Sequence, residues 1–236
     1  MLIIMKTLNW KNREWLLQET WGQVHPKLPH VYHSPECVKV DKEGNLHLHS
    51  FYKPKFYESV NRFVETPIGF ACCMDEFHFG YYNVTAKLPE GKHMWAAIWL
   101  YNIAGWISEI DIVEAYSNRF RDYRHPEFWR YPAFYKLDSN FHYHENGKHK
   151  WVGTKRFNVG LKSPSKRFID YGMAWTPEYI HLFADGMLQR ELKGDIMEHF
   201  QEPMRFILST GLQPDKRDIK STDFIIKDFT YIPYKI

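Results

Sequence analysis

Residues 108–117 read SEIDIVEAYS and place three carboxylates, Glu109, Asp111 and Glu114, within six positions. The β-branched Ile110, Ile112 and Val113 between them suit a strand better than a helix. Strand side chains repeat with period two, so Glu109 and Asp111 share a face. The same rule sends Glu114 to the other face. One extra residue, bulged out at Ile112 or Val113, brings it back. The stretch therefore predicts a strand, and an intact acid cluster only if that strand is bulged.

Four readings of the acids stay open at this point. The first is a half-exposed strand with solvent-facing acids, although like charges on one face repel and acids are poor strand formers. The second is a helix, against which the alternation of Ile110 and Ile112 argues. The third is oxygen ligation of a divalent cation, although no Gly-punctuated Asp/Asn loop accompanies the acids. The fourth is glycoside chemistry, in which two carboxyls flank the scissile bond. Asp111 then lies between the pair, and burial with neighbouring negative charge raises a carboxyl pKa as a general acid requires.

Outward from this stretch the period is two nearly everywhere. CVKVDKEGNLHLHS (37–50) reads as a hairpin turning at KEGN, and YIHLFADGMLQREL (179–192) as one turning at Asp185-Gly186. FHFGYYNVTAKL and KHMWAAIWLYN are aromatic-rich strands either side of PEG. MRFILSTGL and DFIIKDFTYIPY read as late strands, and GDIMEHF as a short helix. Residues 116–140 have no clean period. Their arginines (Arg119, Arg121, Arg124, Arg130) alternate with rings such as Trp129, which fits either a cleft wall or a loop packed on the sandwich. Many strands with turns between them predict an all-β sandwich or jelly roll, a single domain over residues 1–236.

Composition narrows the function. Nine Trp and fifteen Tyr are more than packing asks for, and such rings line sugar clefts. A net charge of +3 is too small for a nucleic-acid binder. Three cysteines, Cys37 and the adjacent Cys72 and Cys73, make no disulfide framework; adjacent strand residues face opposite sides, so one of the pair belongs to the core. MLIIMKTLNW is no secretory signal, and no apolar run spans a bilayer. The sequence assigns no compartment.

EIDIVE resembles the bulged ExDxxE signature of glycoside hydrolase family 16, the form found in laminarinases, agarases, porphyranases and carrageenases. The flanks resemble the family in the same order: FGYYNVTAKLPEGKHMWAAIWL, YGMAWTPEYIHLFADGMLQREL, PMRFILSTGL and DFIIKDFTYIPY, over residues 66–236. The resemblance implies a concanavalin-like β-jelly-roll of two antiparallel sheets with a concave cleft. It implies a retaining endo-hydrolase with Glu109 as nucleophile, Glu114 as acid/base and Asp111 as assisting carboxylate. It places Trp95 and Trp106 along the cleft and His142 near the nucleophile, with His144 competing for that place. Ser108, Ala96 and FIDY (168–171) depart from the family's usual residues.

The resemblance also implies the partners. EIDIVEAY sits nearer the galactan-cleaving members, so the expected substrate is a red-algal galactan of agar, porphyran or carrageenan type. Arg119, Arg124 and Trp129 would bind it, the arginines receiving sulfate. A β-1,3-glucan is the alternative, and a non-catalytic glycan-binding module the rival from another class. The expected assembly is a monomer without nucleic-acid or membrane partners, and the polysaccharide would be met outside the cell. No cofactor is required. A structural calcium on Asp228 and the Gly44 carbonyl is the one metal the resemblance offers.

Overall fold

The computed structural model describes residues 6–19, 22–24, 30–90, 94–102, 105, 108–116, 135–212 and 223–235. Twenty strands, numbered in chain order, run through them. One large sheet has the order β1 (Thr7–Trp10), β2 (Arg13–Leu16), β9 (Phe70–Phe77), β19 (Met204–Leu212), β11 (Met94–Tyr101), β12 (Ser108–Tyr116), β13 (Lys136–Glu145) and β14 (Lys148–Trp151). β15 (Lys155–Asn158) also pairs with β13. The other has the order β18 (Met187–Lys193), β17 (Tyr179–Ala184), β16 (Ile169–Trp175), β10 (Gly80–Lys87), β20 (Phe224–Pro233), β5 (Leu46–Leu48) and β4 (Val38–Val40). Every neighbouring pair within these two sheets is antiparallel. Two small ladders complete the set: β3 (Val31–His33) parallel to β8 (Thr66–Ile68), and β6 (Lys55–Tyr57) against β7 (Arg62–Val64).

Alternation decides which side of each strand meets the core. In β10, Tyr82, Val84 and Ala86 are buried while Tyr81, Asn83 and Thr85 are only half so. The core fills the space between the sheets, with Ile98, Ile110, Phe141, Phe206 and Leu208 from one and Tyr82, Met173, Trp175, Leu182 and Phe224 from the other. The predicted hairpins form. Asp185 and Gly186 take φ of 47° and 76°, as a two-residue hairpin turn of this kind needs. GDIMEHF yields a 3₁₀ helix over Asp195–Phe200. Cys73 lies in the inter-sheet core and Cys72 on the outer face with Leu16, Phe70, Tyr101 and Ile207; all three cysteines are free.

The segment 116–140 differs from its expectation at both ends. Tyr116 still belongs to β12, and β13 starts at Lys136. Residues 117–134, with Arg119, Arg121, Arg124, Trp129 and Arg130, lie outside the described residues, as does Trp106. A buried arginine locks β13 to the opposite sheet. Arg190 of β18 donates to the Ser139 carbonyl and hydroxyl, and to the carbonyls of Val152 and Gly153. Its guanidinium lies 4.5 Å over the Phe141 ring, and burial pushes its pKa down to about 10. Among the described residues no helix is long and apolar enough to cross a membrane.

Candidate active site

The bulge is present in β12. Against β13, Asp111 pairs with Asn140 and Glu114 with Asp138, so three steps on one strand match two on the other. Against β11, Ile98 faces Val113 while Trp99 faces Asp111, which leaves Ile112 as the extra residue. The cause is visible in the packing. Ile110, Ile112, Val113 and Ala115 all enter the inter-sheet core, the consecutive pair Ile112–Val113 included. Two adjacent apolar side chains can point inward only if the strand slips by one. That slip returns Glu114 to the outer face with Glu109 and Asp111.

Three cross-strand rows then build the site. Tyr101, Glu109 and His142 form one; Trp99, Asp111 and Asn140 the next; Ala97, Glu114 and Asp138 the third. The small Ala97 leaves room beside Glu114. The site's neighbours on β11 are rings: Trp95 stacks on Tyr116 at 5.2 Å between centroids, and Trp99 on Tyr101 at 5.4 Å. Trp99 is fixed by donating to the Ser209 hydroxyl at 3.1 Å.

The three acids sit in different surroundings. Glu109 is half-buried, whereas Asp111 and Glu114 are only 4% and 7% exposed. Burial pushes the Asp111 pKa well up, and the charge of Glu114 adds to it; a hydrogen bond with Glu109 and the Arg190 charge oppose this without prevailing. Burial also raises Glu114. It does so even though Asn140 Nδ2 and the Tyr116 hydroxyl both donate to the Glu114 carboxylate, which pulls the other way. Asp138 carries a fourth buried carboxylate beside them, paired with Arg156 at 3.3 Å. His142 Nε2 lies 3.3 Å from Asp111 Oδ2.

Sequence reading singled out neither Asn140, Tyr116 nor Asp138. Their signal was the alternation of Asp138, Asn140 and His142 against Leu137 and Phe141 in KLDSNFH, a polar face two residues apart. Trp95 and His142 lie on the strands either side of the acids; His144 is two strand steps beyond His142, paired with His149.

Glu109, Asp111 and His142 bring ligand-type atoms within 4.8 Å of one another, so this is where the described residues could hold a cation. The pair expected to hold calcium does not fit one. Lys11 Nζ lies 2.9 Å from Asp228 Oδ1, and the Gly44 carbonyl accepts from Trp10 Nε1 at 2.8 Å. An ammonium on the carboxylate supplies the positive charge there and repels a dication.

The buried Asp111 has a consequence for stability. A carboxyl whose folded pKa exceeds its unfolded one supports the fold below the unfolded value, and that support is lost as pH rises through the folded pKa. Asp111→Asn removes this charge burden. The variant should therefore gain on the wild type above pH ~4 and show no such gain below it, by a few degrees at roughly 2–4 °C per kcal/mol. Calorimetric melts at acid and neutral pH check the sign; a gap that narrows as pH rises would contradict it.

A two-sheet antiparallel sandwich carrying crowded carboxylates and stacked rings on one outer face is the build of a jelly-roll glycosidase. The chain belongs to glycosyl hydrolases family 16, whose family profile matches residues 38–222. It is an O-glycosyl hydrolase. A comparison with curated proteins gave no match. Among solved structures it resembles the laminarinase catalytic domain of Thermotoga maritima, with a TM-score of 0.70 and 19% identity over 88% of this chain and 84% of that one. The endo-β-1,3-glucanase of Pyrococcus furiosus aligns with a TM-score of 0.68 and 15% identity over 98% and 100%. A structure described under endo-acting O-glycanases of human gut microbiota that initiate mucin breakdown aligns with a TM-score of 0.70 and 19% identity over 96% and 86%.

Proposed function

We propose that the protein is a retaining, endo-acting β-1,3-glucanase in which Glu109 attacks the anomeric carbon and Glu114 serves first as acid and then as base. The observation that carries the chemistry is the bulge, which puts both glutamates on one face with Asp111 between them. Glu114, raised by burial, is suited to hold a proton for the leaving oxygen; Tyr116 and Asn140 only donate to its carboxyl oxygens, so a proton taken up there is left to point at the substrate. Glu109, the more exposed of the two, attacks. Water then hydrolyses the glycosyl ester with Glu114 as base.

The substrate reading replaces the galactan expectation with its alternative. The relatives from Thermotoga maritima and Pyrococcus furiosus are described as a laminarinase and an endo-β-1,3-glucanase. The face itself favours a neutral chain: rings at Trp95, Trp99 and Tyr116 lie beside Glu109, Asp111, Glu114 and Asp138, and a sulfated glycan would meet four carboxyls there. The arginines expected to receive sulfate lie outside the described residues. Reducing-end release should be highest on laminarin, with oligomers appearing early as internal cleavage requires. Agar, porphyran and carrageenans should yield little. Release from a galactan with laminarin untouched would overturn the substrate; no release from any glycan would overturn the mechanism.

A further inference from the structure

The sheet that does not carry the acids has a pocket on its own outer face, across the sandwich from them. Its strands alternate about the core: Tyr82 and Val84 of β10, Tyr171 and Met173 of β16, and Leu182 and Ala184 of β17 all enter it. Tyr81, Asn83, Asp170, Gly172 and Phe183 therefore face away from the core. Register sets them side by side. Asn83 pairs with Gly172 on one side and with Thr230 on the other, and Gly172 pairs with Phe183. Together they line a pocket of about 350 Å³. That size falls within the range of sites that hold small ligands.

Gly172 keeps this pocket open. A Cβ there would come 3.0 Å from the Tyr81 hydroxyl and 3.4 Å from Phe183 Cβ, so any side chain would fill the space between the two rings. The backbone does not ask for glycine, since Gly172 has no positive φ. Glycine weakens a strand interior and often marks a place where a ligand comes close. The polar edge is built for hydroxyls. Thr85 and Asn83 both donate to Asp170 Oδ1, and Oδ2 accepts from neither. Among the described residues Asp170 makes no ion pair, whereas its neighbour Asp185 is held by Arg167 at 2.7 Å. A carboxylate of this kind accepts from sugar hydroxyls and repels an anionic chain. Burial raises the Tyr81 pKa, and the Asp170 charge adds to it, so the phenol stays a donor. Rings continue beyond the pocket along β17: Tyr179 and His181 stack at 4.2 Å, and His181 stands edge-on to Phe183 at 6.2 Å. A pocket alone suits one sugar; a stripe of rings leading from it suits a chain.

We propose that this pocket and its stripe are a second saccharide site, which takes a neutral β-glucan chain and holds the polymer on the protein away from the acids. That the chain is a β-glucan rests on the substrate proposed above; that it is neutral and extended follows from Asp170 and from the rings of β17. Phe183 offers an apolar surface to a sugar ring, Tyr81 a donor and Asp170 an acceptor, with Gly172 leaving the room between them. A polymer held here stays near the opposite face at a raised effective concentration. Long or insoluble glucan gains from this, and an oligomer too short to reach both faces does not.

Two variants test the site without touching the acids. Gly172→Val fills the floor, and Phe183→Ala removes the ring while leaving the floor open. Retention on insoluble β-1,3-glucan should fall about fivefold or more in each, and kcat/KM on that polymer should fall with it. kcat/KM on laminarihexaose should stay at the wild-type value, with melting temperatures little changed. Binding is read directly in Glu109→Ala, where cleavage is stopped. Laminarihexaose should shift the amide NMR signals of Asn83, Gly172 and Thr230 as well as those of Asp111 and Glu114. Adding Phe183→Ala should weaken the first set of shifts and leave the second. Wild-type retention and polymer cleavage in both variants would overturn the inference, as would pocket signals that stay still while those of Asp111 and Glu114 move. An equal fall on polymer and hexaose would also overturn it, because that marks damage to the catalytic face. Larger pocket shifts with a carrageenan than with laminarihexaose would overturn the neutral ligand. Pocket shifts with laminarihexaose in a protein whose wild type cleaves no glucan would sink the proposed activity and leave the second site standing.

Discussion

Glu109→Ala should lose activity on every glycan, by on the order of 10⁴-fold or more, with its melting temperature little changed. In the double displacement proposed above the loss follows from removing the attacking atom, for which no other described group is placed: Asp111 is buried, and Glu114 lies two rows away. The fold should tolerate the change because Glu109 is half-buried on the outer face and fills no space in the inter-sheet core. Removing the side chain opens a gap on the side from which it attacks. Azide can enter there and attack the anomeric carbon in its place, most readily with an activated leaving group. The product should be a glycosyl azide of inverted configuration, identified by NMR. An azide product of retained configuration would assign attack to another residue, and wild-type turnover would remove the covalent step altogether.

What made this site readable was the spacing of its acids. Period two alone separates Glu114 from its partners, and a single slip reunites them; the consecutive core residues Ile112 and Val113 are the reason for the slip. The hairpins at KEGN and Asp185-Gly186 were equally legible, since their turns use residues suited to positive φ. The start of β13 was not. Asp138, Ser139 and Asn140 are poor strand formers, and they sit in a strand because Arg190 and the acids hold them there. The turn of the first hairpin was hidden for a related reason. Lys11 and Asn12 take φ of 52° and 57°, and a lysine at such a position announces no turn. Its placement there brings the ammonium to Asp228, so the misfit of calcium depends on a residue more than 200 positions away in the chain. Trp95 and His142, which the family resemblance set near the acids, lie on β11 and β13, the two strands that flank β12.

Glu114→Ala should fail in a different way. Its loss on the native polymer is expected at about 10²–10⁴-fold, the usual worth of a general acid. The decisive comparison is between leaving groups. A sugar alkoxide is a poor leaving group and needs a proton, which burial favours on Glu114, whereas a nitrophenolate leaves almost unaided. Formation of the glycosyl-enzyme from an aryl glycoside should therefore survive far better than polymer cleavage. The second step then slows, because no base activates water, and the intermediate on Glu109 should accumulate and appear as a burst followed by slow turnover. Azide, which needs no base, should speed that step and give a product of retained configuration, since Glu109 has already inverted the centre once. The pH profile adds a third reading: the limb that reports the acid should vanish from the aryl glycoside reaction. The neighbours sharpen the test. Asn140→Asp would set another carboxyl where a donor to Glu114 now stands, raising the pKa of Glu114 further and moving that limb upward in the otherwise wild-type enzyme. If Glu114→Ala lost aryl glycoside and polymer activity equally, or gave the inverted azide, the roles of Glu109 and Glu114 would have to be exchanged.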